Sequence, residues 1–266
     1  MKKIKKAFTL AEVLITLGVI GVVASITLPT LIKEYNKHAW VNALKQNYSL
    51  LNQGFRKMMA DDGVEFIADT EVWRAIGSHC FSSDDISSVN CKDFYPQLQR
   101  YFKIIRIGKG IDTGIVYNYK YRNSSEKNAY NQNIIYLSNG AMIWTYEFYK
   151  NPSISPNCDT IHAAGGHMCG WAGWFNIDIN GNRGPNEFGK DIFRFYISER
   201  GQLAPVGGND HAVHSAISIS TQENIDKHRA NIGLNGECLF GSAPYDNSGM
   251  GCSGLLIDQL NWKMDY

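Results

Sequence analysis

The sequence has almost no surplus of charge. Its 266 residues hold 26 Lys and Arg against 25 Asp and Glu, a formal net charge of +1, so nothing in the balance points to a nucleic-acid partner. Catalytic signatures are missing too. Gly251-Cys252-Ser253-Gly254-Leu255 fails as a G-x-S-x-G elbow at its last position, and there is no Walker loop, no H-E-x-x-H pair and no G-x-G-x-x-G set in a βαβ unit. The chain therefore reads as no enzyme. No repeat or low-complexity tract interrupts it, and with 44% hydrophobic residues it can build a membrane segment plus one substantial core. The 14 tyrosines and six tryptophans suit a sheet core and subunit contacts better than a carbohydrate-binding face.

What the sequence does have is concentrated at its start. Lys2, Lys3, Lys5 and Lys6 form a cationic leader, and Phe8 to Leu28 carries a single charge, Glu12. At 1.5 Å per residue that run spans about 31 Å as a helix, close to the roughly 30 Å hydrocarbon core of a bilayer. The lysines place the N-terminus in the cytoplasm and the remainder across the membrane. No A-x-A-like site follows the apolar run, so this is no ordinary cleaved secretory signal. Glu12 is anomalous, because a carboxylate within a membrane helix costs on the order of 2.5–3.5 kcal/mol and calls for a partner. Cleavage between Ala7 and Phe8 would create a positive amine one helical turn from Glu12. In a helical stack, that amine can neutralise the carboxylate of a neighbouring chain.

The leader, Ala7 and Phe8-Thr9-Leu10-Ala11-Glu12 before an apolar helix resemble the prepilin signal of type IV pilins and type II secretion pseudopilins. The resemblance implies a membrane-bound aspartic prepilin peptidase that cuts before Phe8 and methylates the new amine. Ala7 stands where the family usually has Gly. The competing reading is a plain signal anchor whose Glu12 sits near the interface. Removal of the leader's lysines leaves 22 basic against 25 acidic residues.

Beyond the membrane run, Pro29 lacks an N–H and should loosen the helix without ending it. In the family such a proline is linked to melting of the helix during assembly. Val41, Leu44, Tyr48, Leu51, Phe55 and Met58 form one apolar stripe, and Asp61-Asp62-Gly63 supplies a stop. Residues 64–100 read as a variable connection. Strand-like runs follow at Tyr101–Ile107 and Ile115–Tyr121. The clearest hairpin joins Asn133–Leu137 to Ala141–Phe148 through Ser138-Asn139-Gly140, with Asn-Gly supplying positive φ angles. Ser198–Pro205 reads as an exit turn, and Leu255–Trp262 as a helix-like end.

The six cysteines all fall on the extracytoplasmic side, an oxidising setting. They make three near pairs, Cys80 with Cys91, Cys158 with Cys169 and Cys238 with Cys252, although six cysteines allow 15 connectivities. A zinc alternative uses Cys158, His162, His167 and Cys169, but its spacing fits no common zinc pattern. His211 and His214 could hold a metal only with distant partners.

Asp178, Asn180 and Asn182 alternate oxygen side chains along a glycine-bearing loop to which Asp191 returns. Such a D-x-N-x-N opening can wrap a hard cation such as calcium. It is not an EF-hand, since its twelfth position is Gly189. The alternative is an Asx-rich connection between strands Phe175–Ile179 and Ile192–Ile197, held by side-chain to backbone hydrogen bonds. Pseudopilins of type II secretion carry a structural calcium in a head loop, and this loop is similar in character.

The expectation is therefore an α+β, pilin-like chain: residues 1–7 a cleaved leader, 8–28 a transmembrane helix, 29–62 its soluble continuation, and 63–266 a head with an antiparallel sheet. The resemblance implies a structural subunit of a type IV pilus or a secretion pseudopilus, with a head large enough for a minor or tip subunit. Its partners would be other pilins, the prepilin peptidase, the inner membrane and the assembly platform, with no nucleic acid and no cofactor beyond a structural calcium. The alternative is a membrane-anchored binding protein or adhesin that never polymerises.

Overall fold

A computed structural model describes residues 9–109, 117–121, 127–150, 171–205, 238, 252–259 and 261–264. The chain divides into two compact units, residues 1–39 and 40–266. One helix, α1 (Leu10–Asp62), runs through both and continues across Pro29. Its N-terminal part exposes Leu14, Ile15, Leu17, Ile20, Val22 and Ile26. With a mean hydropathy of 2.2 in its most apolar window, it is long and apolar enough to cross a membrane. The hydroxyls in this run return to the helix, Thr16 to the Val13 carbonyl, Ser25 to Val22 and Thr27 to Val23, which keeps them satisfied in a medium without water.

The second half of α1 is amphipathic and belongs to the head. Val41, Leu44, Leu51, Phe55 and Met58 are buried, as the spacing predicts, while Tyr48 is half-buried. Asn47 and Gly54 widen the buried face. Asn47 is admitted because both ends of its amide are used: Nδ2 donates to the Ala43 carbonyl and Oδ1 accepts from Asn139 Nδ2, each at 2.9 Å. The helix ends at Gly63, whose φ of +65° allows the Gly63 N–H to reach the Ala60 carbonyl and the Val64 N–H to reach that of Met59, a Schellman cap.

Residues 64–100 are more ordered than a variable connection. They form a 3₁₀ turn (Ile67–Asp69), α2 (Glu71–Arg74), β1 (His79–Phe81) and α3 (Phe94–Leu98), and Thr70 caps α2 by accepting from the Trp73 N–H. Buried aromatics explain the order, since Trp73 packs edge-on against Phe55, Phe94 and Phe148.

The remaining strands are β2 (Ile104–Lys109), β3 (Tyr117–Tyr119), β4 (Asn128–Tyr130), β5 (Asn133–Leu137), β6 (Met142–Tyr149), β7 (Trp171–Asp178), β8 (Ile192–Ser198) and β9 (Leu203–Pro205). An antiparallel sheet runs β2-β5-β6-β7-β8-β9, with β1 also on β6, and β3 and β4 pair separately. Leu203–Pro205 is thus a strand on β8 where the sequence suggested an exit turn. The β5–β6 turn also departs from expectation. Its three residues are those expected, but of them only Gly140 has positive φ, at 90°, and Asn139 does not; the Gly140 N–H bonds to the Leu137 carbonyl and the Leu137 N–H to that of Ala141.

One face of the sheet packs on α1 through Ile135, Ile143, Phe148, Phe175, Phe193 and Phe195. A second core lies on the other face, where Trp144, Met142, Ile134 and Ile192 meet Tyr117, Tyr130 and Phe188. β6 serves both by a register shift between Trp144 and Glu147, with Thr145 at φ 44° and its N–H turned to the Tyr130 hydroxyl. The bulge resets the alternation, so that Ile143 and Tyr146 both enter the core shared with α1 and α3. Near the chain end, α4 (Cys252–Gly254) continues as a π-helical turn over Leu255–Gln259.

Candidate functional site

At the start of α1, Thr9 and Glu12 form a reciprocal cap. Glu12 Oε2 accepts from the Thr9 N–H at 2.8 Å and the Thr9 hydroxyl at 2.9 Å, while the Glu12 N–H donates to Thr9 Oγ1 at 3.2 Å. This is the capping-box arrangement, which satisfies otherwise orphaned N–H groups of the first turn. Both acceptances fall on Oε2, so Oε1 accepts from none of the described residues. Ala7 and Phe8 lie outside the described residues.

The second site is the loop from β7 to β8. Asp178 and Asp191 are both 0% exposed. Asp178 Oδ1 accepts from the Asn180 N–H at 3.1 Å and Oδ2 from the Tyr117 hydroxyl at 2.8 Å. Asp191 Oδ1 accepts from the Glu187 N–H at 2.8 Å, and Oδ2 from the Asn186 N–H at 2.9 Å and Asn180 Nδ2 at 3.3 Å. Burial pushes the Asp178 carboxyl well above the usual range, and the charge of Asp191 adds to this against the opposing Tyr117 hydroxyl and loop N–H groups. Burial raises Asp191 as well, opposed by the N–H groups of Glu187 and Asn186. Neighbouring Glu187 has Lys120 at 2.8 Å and Lys190 at 2.9 Å, but among the described residues no cationic side chain forms an ion pair with Asp178 or Asp191.

Asn180 supplies the observation that bears on a cation. Its Oδ1 is buried without a hydrogen-bond partner, while Nδ2 lies 3.1 Å from the Gly184 carbonyl and 3.3 Å from Asp191 Oδ2. Turned over, the amide would set Oδ1 against those same two oxygens, an arrangement that a cation between them makes favourable. Two uncompensated carboxylates, an amide oxygen and a carbonyl are the hard donors calcium takes, so the residues fit such an ion. No group of three or more His, Cys, Asp or Glu converges among the described residues, which leaves amide, carbonyl and water oxygens to complete the shell. Asn182 is placed differently from the other three: it is exposed, and its Oδ1 accepts from Asn186 Nδ2 at 3.2 Å.

Residues 2–28 match the family model described as the prokaryotic N-terminal methylation motif. The chain carries a prepilin signal. No curated protein and no solved structure matches it. Such a signal implies processing by a prepilin peptidase, and α1 is long and apolar enough to cross a membrane. The α+β head with its antiparallel sheet is pilin-like.

In this prepilin-type chain Cys80 is bonded to Cys91 and Cys238 to Cys252. Cys158, Cys169, His162, His167, His211 and His214 lie outside the described residues. Ser78 Oγ is 3.0 Å from His79 Nδ1, yet His79 Nε2 stands 3.9 Å from Asp84 Oδ2, which accepts from the Phe81 N–H instead; this is not a catalytic triad. The sequence did not point to Tyr117, Asn186 or Glu187. Asn186 and Glu187 lie in the same polar stretch, but Tyr117 is 61 residues from Asp178 and no local pattern could have joined them.

Proposed function

We propose that this chain is a non-catalytic structural subunit of a type IV pilus or type II secretion pseudopilus, a minor or tip subunit by the size of its head. It would assemble through α1 after cleavage between Ala7 and Phe8 and N-methylation of Phe8. The observation that carries the reading is the methylation motif with Glu12 as the one charge in an apolar span. Thr9 occupies only Oε2, and the Phe8 amine of a neighbouring subunit would take Oε1. Within hydrocarbon such a pair fixes register, because leaving one partner alone costs about 3–5 kcal/mol. The head would lie outside the cytoplasmic membrane, with the assembly platform and other pilins as partners, and Pro29 would be where the helix loosens during assembly.

The test is the intact mass and N-terminal sequence of the protein from its native membrane, with Glu12→Ala and Glu12→Gln beside wild type. A start at N-methylated Phe8 is expected in all three. Gln can still close a capping box but carries no charge, so both variants should be processed and fail to form filaments. Filaments from Glu12→Gln would assign Glu12 to the cap, and an intact Met1 start in wild type would favour a non-polymerising anchored protein.

A second part of the proposal is a structural calcium held by Asp178, Asp191 and Asn180 Oδ1, favoured by that oxygen's lack of a partner. When bound, the ion would supply the positive charge the two carboxylates lack.

A further inference from the structure

The β3–β4 hairpin packs on the head through the aromatic core around Trp144, and its polar contacts with the head converge on the two carboxylates described above. β3 and β4 pair with each other and not with the main sheet. The Tyr117 hydroxyl donates to Asp178 Oδ2 at 2.8 Å. Asn186 Nδ2 donates to the Asn118 carbonyl at 2.9 Å, the Lys120 N–H to the Asn186 carbonyl at 2.9 Å, and the Phe188 N–H to the Lys120 carbonyl at 3.0 Å. Lys120 Nζ closes the seam on Glu187. Asn186 and Glu187, which make this seam, are themselves held by their N–H groups on the Asp191 carboxylate. Asp178 therefore holds the hairpin directly and Asp191 holds the segment to which it is sewn.

We propose that cation occupancy of the β7–β8 loop controls docking of the β3–β4 hairpin, with the Tyr117 hydroxyl as the latch; this rests on the calcium reading of Asp178 and Asp191. An ion between the carboxylates holds Asp178 and Asp191 in one geometry. That geometry presents Asp178 Oδ2 to Tyr117 and fixes the Asn186–Glu187 segment against Asn118 and Lys120. Without the ion the two buried carboxylates lose their common positive partner, and a shift of either one loosens the latch or the seam. Coupling is reciprocal, so the docked hairpin must strengthen calcium binding by the same factor that calcium strengthens docking. Trp144 reports on the docked state, because its ring lies 5.1 Å from Tyr117, 4.6 Å from Tyr119 and 5.1 Å from Tyr130.

The experiment is hydrogen–deuterium exchange on the full chain in detergent, in calcium chloride and in EDTA, with calcium binding measured by calorimetry on the same samples. Calcium should slow exchange of residues 117–120 and 186–188 by about tenfold or more, within the usual range of such couplings. Tyr117→Phe keeps the ring and removes the hydroxyl. It should still bind calcium, several-fold more weakly, and lose most of the calcium-dependent protection at 117–120. Calcium binding with protection confined to 178–191 in wild type, or an unaltered hairpin response in Tyr117→Phe, would overturn the coupling and leave the calcium site standing. No calorimetric binding, with exchange identical in calcium and EDTA, would overturn both.

Discussion

Tyr95 and Tyr146 bring their hydroxyls to 2.6 Å of each other in the core, where burial favours the neutral phenols. Burial pushes Tyr95 up to about 12 from an ordinary value of 10.0, and Tyr146 moves the same way, by burial first and then by Tyr95. A raised folded-state value means that the unfolded chain gives up its proton first. The stabilisation is complete below pH 10 and lost as pH rises from 10 through about 12. For Tyr95 this amounts to roughly 2–3 kcal/mol at about 1.4 kcal/mol per unit. Tyr95→Phe should therefore flatten the fall in melting temperature over that alkaline range, and an unchanged slope would place the alkaline sensitivity elsewhere. The sequence shows each of these tyrosines as one aromatic among many. Their pairing comes from α3 lying over β6.

Among the elements, α1 and its contact with Phe102 make the sharpest case. A Cβ built on Gly54 would stand 2.1 Å from Phe102 Cε1, so the glycine is there for space. In an exposed helix Gly54→Ala would gain about 1 kcal/mol, but forcing an atom into a filled core costs about 1–3 kcal/mol. The expected result is a lower urea midpoint, partly restored by adding Phe102→Leu; a raised midpoint would mean that Phe102 turns aside at little cost. The stripe from Val41 to Met58 and the stop at Gly63 were legible, because period and cap chemistry are local. The bulge at Thr145 was not. It exists because β6 faces the main core at Ile143 and the second core at Trp144, and then must face the main core again at Tyr146 and Phe148.

For the molecule as a whole, the calcium reading sets the expected stability. An ion bound only by the folded head adds about 2.7 kcal/mol when free calcium is a hundredfold above its dissociation constant. The melting temperature in calcium should exceed that in EDTA, and Asp191→Asn should remove the difference while leaving filament assembly through Glu12 to be scored separately. Equal melting temperatures in calcium and EDTA would return the loop to an Asx-rich connection. Two tasks thus rest on different parts of the chain: the prepilin signal and apolar run at residues 2–28, and the antiparallel sheet within residues 40–266.

The sequence by itself determined the prepilin signal, the apolar span with its single carboxylate, the amphipathic stripe, the helix stop and most of the strands. Each of these depends on residues within a few positions of one another, where period, charge and capping operate. Tertiary structure alone decided that Tyr117 closes on Asp178 and that Asn139 reaches Asn47, contacts 61 and 92 residues apart in the chain. It also decided that Asn182 is exposed and accepts from Asn186 and that Leu203–Pro205 joins the sheet. These outcomes follow from which buried polar groups could find partners once the strands had paired, and burial and pairing between distant segments leave no local pattern to read.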